Sequence, residues 1–271
     1  MLQLDSVTLS FRGLTALSDV SAGVSEGEVV AVIGPNGAGK TSLFNIICGF
    51  YRPDTGTVTW QGREITGMAP HMVARSGIGR SFQNIELFKS LTCLDNLLLG
   101  RHLHVKSNLF SAMLATRSWV RDEVAQRRRA EELMDLLDLQ AYRDQPVGAL
   151  PYGVQKLIEV ARALASEPRL LLLDEPAAGM TVEEKDDMMV TLLRLRRDLN
   201  LTMLVVEHDL RVVSRLADRV VVLDHGNKIA DGTPHEVQDD PAVVRAYLGS
   251  TKLAGPTTGA DAGAQAEKVL K

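Results

Sequence analysis

Residues 34–41 read Gly-Pro-Asn-Gly-Ala-Gly-Lys-Thr, which places three glycines and a lysine within eight positions. Glycine lets a backbone turn back on itself and lets another group come close, at an entropic cost alanine would not incur. The spacing fits G-x-x-x-x-G-K-[ST], in which successive backbone N–H groups form a concave nest for phosphate oxygens. The apolar run GEVVAVIG leads into it, and TSLFNIICGF follows with apolar Leu43, Phe44, Ile46 and Ile47 before the stop signal Gly49. The loop therefore joins a strand to a helix, and the positive end of that helix points at the nest. In this chemistry Gly34, Pro35, Asn36, Gly37, Ala38, Gly39, Lys40, Thr41 and Ser42 bind a nucleotide. Lys40 reaches the β- and γ-phosphates, and the Thr41 hydroxyl ligates Mg²⁺.

Two further strand ends carry matching chemistry. LLLLDEP (170–176) closes a buried apolar run with Asp174 and Glu175. An aspartate there can hold Mg²⁺ through water, and the adjacent carboxylate can take the proton of an attacking water. VVEHDL (205–210) ends another strand with His208 poised to face the γ-phosphate, whereas His71, His102, His104, His225 and His235 have no such setting and read as surface residues. A guanine-reading N-K-x-D motif is absent, so adenine is the expected base.

The elements that must position these groups follow from periodicity. LQLDSVTLSF alternates, GTVTWQGREI has strand composition around a Gln-Gly turn, and residues 2–33 read as short strands. From about 84 to 165 helical periodicity takes over, as in VRDEVAQRRRAEELMDLLDL, with Val120, Val124, Leu133, Leu136 and Leu137 expected near one face. The arginines 127–129 read as a solvated helix face because Glu131 and Glu132 follow. Strands then return at 169–175, 202–208 and 219–232, the last with a hairpin turn at HGN, separated by helical stretches at 182–198 and 209–217. Strands separated by helices imply an α/β fold with a largely parallel sheet.

Composition sets outer bounds. A net charge of −4 argues against a nucleic-acid partner, and 45% apolar with 24% charged residues is ordinary for a globular protein. Cys48 and Cys93 both lie in apolar segments and read as reduced core thiols. No apolar run approaches membrane-helix length and no signal peptide is visible, so a cytoplasmic protein is expected. The tail TKLAGPTTGADAGAQAEKVLK is too poor in apolar residues to build a core and is expected to be disordered.

The order of the phosphate loop, Gln83 in RSFQN, LPYGVQKLIEVARAL, LLLLDEP and VVEH resembles the ATP-binding-cassette ATPases over residues 2–249. FRGLTAL, GIGRSFQNIELF, the insertion NLFSAMLATRSW (108–119), DEPAAGM and DPAVVRAYLG are similar to the first of the two ATPase subunits of branched-chain amino-acid importers. The resemblance implies a discontinuous ATPase core at 1–83 and 166–249, mostly parallel with an antiparallel β subdomain, a helical signature subdomain at 84–165, and a tail at 250–271. It implies that Phe11 stacks on adenine and that Gln83 contacts Mg²⁺ and water and senses the membrane partner. Leu150, Pro151, Tyr152, Gly153 and Val154 correspond to the L-S-G-G-Q signature that closes over ATP held by the opposite subunit, and 177–181 to the dimer-contacting S-A-L-D turn.

The cofactors implied are ATP and Mg²⁺. The partners are a second ATPase subunit, two membrane permeases and, indirectly, an extracytoplasmic binding protein, with no nucleic acid. The complete transporter is expected to hold a heterodimer; a homodimer is the form open to the isolated chain. The place implied is the cytoplasmic face of the inner membrane. NIELFKSLTCLDNLLLG is expected to form part of the groove receiving a permease helix, with about half of its apolar residues in the core. Against the signature, Pro151 removes both the serine hydroxyl and an N–H, although proline suits the first turn of a helix. Thr181 stands where S-A-L-D has its aspartate. An importer of amides or urea, a nucleic-acid machine and a small-molecule kinase are the competing functions. The short single cassette with its negative charge disfavours the second, and Glu175, His208 and Gln83 favour water as acceptor over the third.

Overall fold

The structure, a computed structural model, describes residues 1–81, 86–105 and 116–251. Gln83, residues 108–115 of the insertion and residues 252–271 of the tail lie outside the described residues. In chain order the elements are β1 (Leu2–Phe11), β2 (Leu14–Val24), β3 (Val29–Ile33), α1 (Lys40–Ile47), β4 (Thr55–Trp60) and β5 (Arg63–Glu64). Then come α2 (Pro70–Arg75), β6 (Ile78–Arg80), α3 (Cys93–Gly100), α4 (Arg117–Leu136), α5 (Tyr152–Leu164), β7 (Leu170–Asp174) and α6 (Val182–Leu199). The chain closes with β8 (Thr202–Val206), α7 (Leu210–Leu216), β9 (Arg219–Asp224), β10 (Asn227–Gly232), α8 (Pro234–Gln238) and α9 (Pro241–Thr251). It divides into two compact units, 1–70 with 199–271, and 71–198.

The first unit holds two kinds of sheet. β2, β1, β4 and β5 pair antiparallel in that order. The β1–β2 hairpin turns at Arg12 and Gly13, both left-handed at φ 47° and 88°, which matches the twist of the flanking strands. These strands run 10 and 11 residues, the first over the alternating stretch LQLDSVTLSF. The ladder shifts register after Leu4 and Val7, and left-handed Ser6 and Asp19 sit within the shifted stretches. Such bulges break the apolar alternation without ending the pairing.

The second kind of sheet is parallel. β3 pairs with β8 on one side and β9 on the other, and β10 returns antiparallel on β9 through the left-handed turn His225–Gly226. All five residues of β3 are buried, as expected of a strand covered on both faces. Ala31, Ile33, Val220 and Val222 form a cluster with Val213 of α7, Val237 of α8 and Val243 of α9.

In the second unit β6 and β7 pair parallel, Ile78 opposite Leu170, a geometry that requires a long crossover. That crossover carries α3, α4 and α5. The α3 start is closed by a reciprocal pair in which Thr92 accepts from the Asp95 N–H and Asp95 from the Thr92 N–H. Asn96, fully buried, accepts from the Phe88 N–H at 3.0 Å and donates to the Phe88 and Thr92 carbonyls at 3.1 and 2.9 Å.

The expected inner face of α4 needs correction. Ala130 and Met134, with Leu137 just beyond, are buried, whereas Val120 and Val124 are 46% and 60% exposed. The arginines on this helix pair with its own carboxylates, Arg128 and Arg129 both reaching Glu132 at 3.0 and 2.9 Å.

Arg219 at the start of β9 ties several strands of the first unit together. It donates to Glu28 at 2.8 Å, to Asp231 of β10 at 2.7 Å and to the Gly23 carbonyl of β2. Burial pushes the Glu28 carboxyl up, but bonds from Arg219 and Ser25 outweigh it and hold the group below its ordinary value of 4.5. Arg219→Ala is expected to cost about 1–2 kcal/mol in denaturant unfolding at pH 7, since these groups are only partly buried. A lowered folded-state pKa gives stability that is present above pH 4.5 and lost as pH falls through the folded value. The difference between wild type and variant should therefore shrink on acidification below about pH 4, and a gap independent of pH would contradict the assignment.

Candidate functional site

The phosphate loop leaves β3 at Gly34, whose backbone has φ 147°. A Cβ there would lie 2.0 Å from the Leu223 carbonyl oxygen of β9, and one on Gly39 (φ 106°) would lie 2.5 Å from the Ala16 oxygen of β2. These glycines are thus required by the loop's own supports as well as by any ligand. A hydrogen-bonded chain continues the support, from the Ser18 N–H to the Gly226 carbonyl and from the Gly226 N–H to the Ala38 carbonyl, at 2.8 and 3.1 Å. Tyr247 of α9 packs against the cluster containing Ile33. Burial pushes its phenol up to about 12, with a backbone hydrogen bond from Gly34 acting the other way.

Lys40 is buried and folds back over the loop, its ammonium donating to the Gly34 and Pro35 carbonyls at 2.6 and 3.0 Å. No side chain caps the start of α1, whose N-cap is Gly39, and its first turn holds no acid. The positive end of the helix and the exposed Thr41 hydroxyl are open to an anion. The fully paired register of β3 and β8 sets Val32 opposite Val206. Two residues beyond each stand Gly34 and His208, so the loop and the exposed imidazole emerge at the same sheet edge. Glu207 between them is a buried carboxylate that accepts from the His208 N–H at 3.2 Å. Sequence reasoning passed over it, although an acid inside TMLVVEH was a visible signal.

The carboxylate couple belongs to the second unit. Asp174, 2% exposed, accepts from Arg80 of β6 at 3.0 Å. Burial raises its pKa and the Glu175 charge adds to that, while Arg80 and the field of Lys156 oppose. Lys156 is itself buried 3.6 Å from Glu159, one turn along α5. Glu175 has φ 50°. A left-handed glutamate directly after a buried strand is strained by about 1 kcal/mol or more and is typical of functional turns.

Helix α5 starts at Tyr152, so Pro151 is its N-cap, one position earlier than the first-turn placement expected; no side chain caps the helix. The Tyr152 hydroxyl donates to the Ala178 carbonyl at 3.3 Å, joining the signature stretch to the 177–181 turn. Thr181 caps α6, donating its N–H to Glu184 at 2.9 Å and accepting from the Glu184 N–H at 3.2 Å. Its hydroxyl does there what an aspartate at that position also does.

The first unit thus carries Phe11, residues 34–42 and His208, and the second carries residues 150–154, Asp174 and Glu175. Gln83 is outside the described residues. Of the segment expected to meet a permease, Leu87, Leu94 and Leu97 are buried while Phe88 and Leu99 are exposed. A cavity of about 600 Å³ lined by Arg101, His104, Gln126, Arg129, Glu132 and Glu167 contains none of the expected site residues. Among the described residues no three His, Cys, Asp or Glu side chains group to hold a metal by themselves, and no helix is long and apolar enough to cross a membrane.

The ABC transporter family matches residues 17–178 of this chain. The high-affinity branched-chain amino acid transport ATP-binding protein BraF of Pseudomonas aeruginosa is 40% identical over 92% of this chain and 98% of its own length. The chain belongs to the ABC transporter family. A second family match, a branched-chain amino acid ATP-binding cassette transporter segment, covers residues 227–252. Among solved structures, the ADP conformation of the MJ1267 ATP-binding cassette aligns with a TM-score of 0.81 at 32% identity, covering 92% of this chain and 98% of that one. A dimeric post-hydrolysis cassette, MJ0796 bound to ADP and Pi, aligns at 0.73 and 25% identity over 86% and 99%. The α/β core with parallel and antiparallel strands is the ABC ATPase fold, and the activity is ATP hydrolysis coupled to transport.

Removing Arg80 alone would leave the Asp174 carboxylate buried without its contacting cation. Arg80→Met is expected to destabilise the full chain by about 3–5 kcal/mol. The double variant Arg80→Met/Asp174→Asn should recover most of that loss in denaturant unfolding. No recovery would show that Arg80 stabilises through packing alone.

Proposed function

We propose that this chain is the ATP-hydrolysing subunit of an importer for branched-chain or other hydrophobic amino acids. It would sit at the cytoplasmic face of the membrane, held there by two permease subunits and paired with a second ATPase subunit. The observation that carries the reading is the phosphate loop and its folded-back Lys40 emerging beside His208 at one sheet edge. The likeness to BraF over 92% of the chain and the match at 227–252 support the cargo class. An extracytoplasmic binding protein would deliver that cargo.

Each side chain has a separable task. Lys40 and the loop amides neutralise and align the β- and γ-phosphates, and the Phe11 ring takes the adenine. Thr41, Asp174 and Gln83 offer hard oxygen atoms of the kind Mg²⁺ binds, leaving further positions to phosphate and water. Bound there, Mg²⁺ would offset negative charge on the phosphates. Glu175 accepts the proton of the attacking water, and the His208 imidazole donates toward the γ-phosphate. The uncapped start of α5, with the Gly153 N–H, is the surface offered to ATP on the partner subunit. The helical subdomain at 84–165 carries that surface, and the ATPase core comprises 1–83 and 166–249.

Closure of the pair must come from contacts made only in the closed form, because a ligand shifts an equilibrium only by its differential affinity. Lys40→Ala should weaken ATP binding itself. Glu175→Gln should retain ATP in a closed pair while phosphate release falls at least a hundredfold, the range set by loss of general-base catalysis. Cells lacking the chain should lose uptake of labelled leucine, isoleucine and valine and regain it with the wild type but not with Lys40→Ala. Loss of urea or amide uptake instead would replace the cargo assignment.

The signature departs from L-S-G-G-Q at the serine, so the ATP site closed by Pro151 should be the slower of two in a heterodimer. Pro151→Ser is expected to raise turnover at that site in the assembled transporter. Equal rates before and after would remove this asymmetry.

A further inference from the structure

At the end of β1 the Phe11 ring meets Tyr51 edge-to-face, with centroids 5.1 Å apart and ring planes at 72°. Both rings reach solvent, Phe11 at 42% and Tyr51 at 37% exposure. They come together by different routes. Phe11 is the last residue of its strand, opposite Leu14 across the Arg12–Gly13 turn. Tyr51 follows α1, where its N–H and that of Phe50 both donate to the Asn45 carbonyl at 3.1 and 2.8 Å. Gly49, left-handed at φ 76°, makes that reversal. The Tyr51 backbone is therefore pinned to the helix whose other end forms the phosphate loop.

An edge-to-face pair engages at most one face of either ring, so Tyr51 itself leaves the other face of the part-exposed Phe11 ring uncovered. We propose that Tyr51 is a positioning residue for the nucleobase, holding the Phe11 ring at a set offset from the phosphate loop so that adenine stacks on the open face. This rests on the reading of Phe11 as the base-stacking residue. A lone, solvent-exposed Phe11 would sample several rotamers, and the entropy of ordering it would fall on nucleotide binding. With Tyr51 present, that ordering is already in place in the folded chain. Tyr51 acts through Phe11, so its influence is confined to ligands that carry a base.

The test compares ADP with inorganic pyrophosphate, both as Mg²⁺ salts, by titration calorimetry on the full chain. Tyr51→Ala should weaken ADP about three- to tenfold, the range of an aromatic pair, and leave pyrophosphate unchanged. Tyr51→Phe should retain wild-type ADP affinity because the ring remains. Phe11→Ala should weaken ADP at least as much as Tyr51→Ala, and adding Tyr51→Ala to it should cost little more. Equal loss of ADP and pyrophosphate in Tyr51→Ala would signal a disturbed α1 and overturn the proposal. Unchanged ADP affinity in Tyr51→Ala, with Phe11→Ala impaired, would overturn it while leaving the Phe11 reading standing. Wild-type ADP affinity in Phe11→Ala would remove both.

Discussion

The chemistry of this chain depends on bare backbone resting on bare backbone. An anion nest needs several amides aimed one way, and of the loop's own side chains Lys40 bonds its first two carbonyls. Here the support comes from β9 and β2: Leu223 presses on Gly34, Ala16 on Gly39, and the hairpin turn at Gly226 bonds Ala38. Two sheets of different pairing thus meet the loop, one at Gly34 and the other at Gly39. The same closeness makes both glycines irreplaceable before any nucleotide is considered, because a side chain at either would displace a carbonyl that cannot move without its strand.

Electrostatic tension is handled differently at the strand end bearing the carboxylate couple. Asp174 is sunk in an apolar strand and compensated by one guanidinium in contact and one ammonium at longer range. Glu175 follows it in a conformation that glutamate seldom adopts. Burial keeps the first carboxylate from being satisfied by water, and the strained turn fixes where the second points. The energetic burden is local to this strand end, and strain of this kind is what folded chains generally accept at functional turns.

Much of this was legible from residue order, for identifiable reasons. The strand–loop–helix around Gly34–Thr41, the buried run ending at Asp174 and the Gln-Gly and His-Gly turns all rest on local rules, and local rules survive folding. Long-range choices were harder to read. Val120 and Val124 share the period of α4 yet stay exposed, because the helix buries Ala130 and Met134 and periodicity cannot say which arc meets a neighbour. The length of β1 was legible in the alternation of LQLDSVTLSF, whereas its bulges show only in the pairing with β2. Arg80 opens RSFQN, yet its role could not be read there, since it meets Asp174 only because β6 lies beside β7. Tyr51 was invisible for a similar reason: nothing in the order of residues says that it meets Phe11. Thr181 reads in sequence as a lost aspartate and proves in the fold to be a helix cap.

The last described helix repays a different kind of attention. Val243 and Tyr247 belong to the same apolar cluster as Ile33, the residue from which the phosphate loop departs. This helix is therefore part of the foundation of the phosphate loop, more than two hundred positions earlier in the chain. A chain shortened to stop before Pro241 would keep the phosphate loop, LLLLDEP and VVEH and lose the floor beneath the first of them.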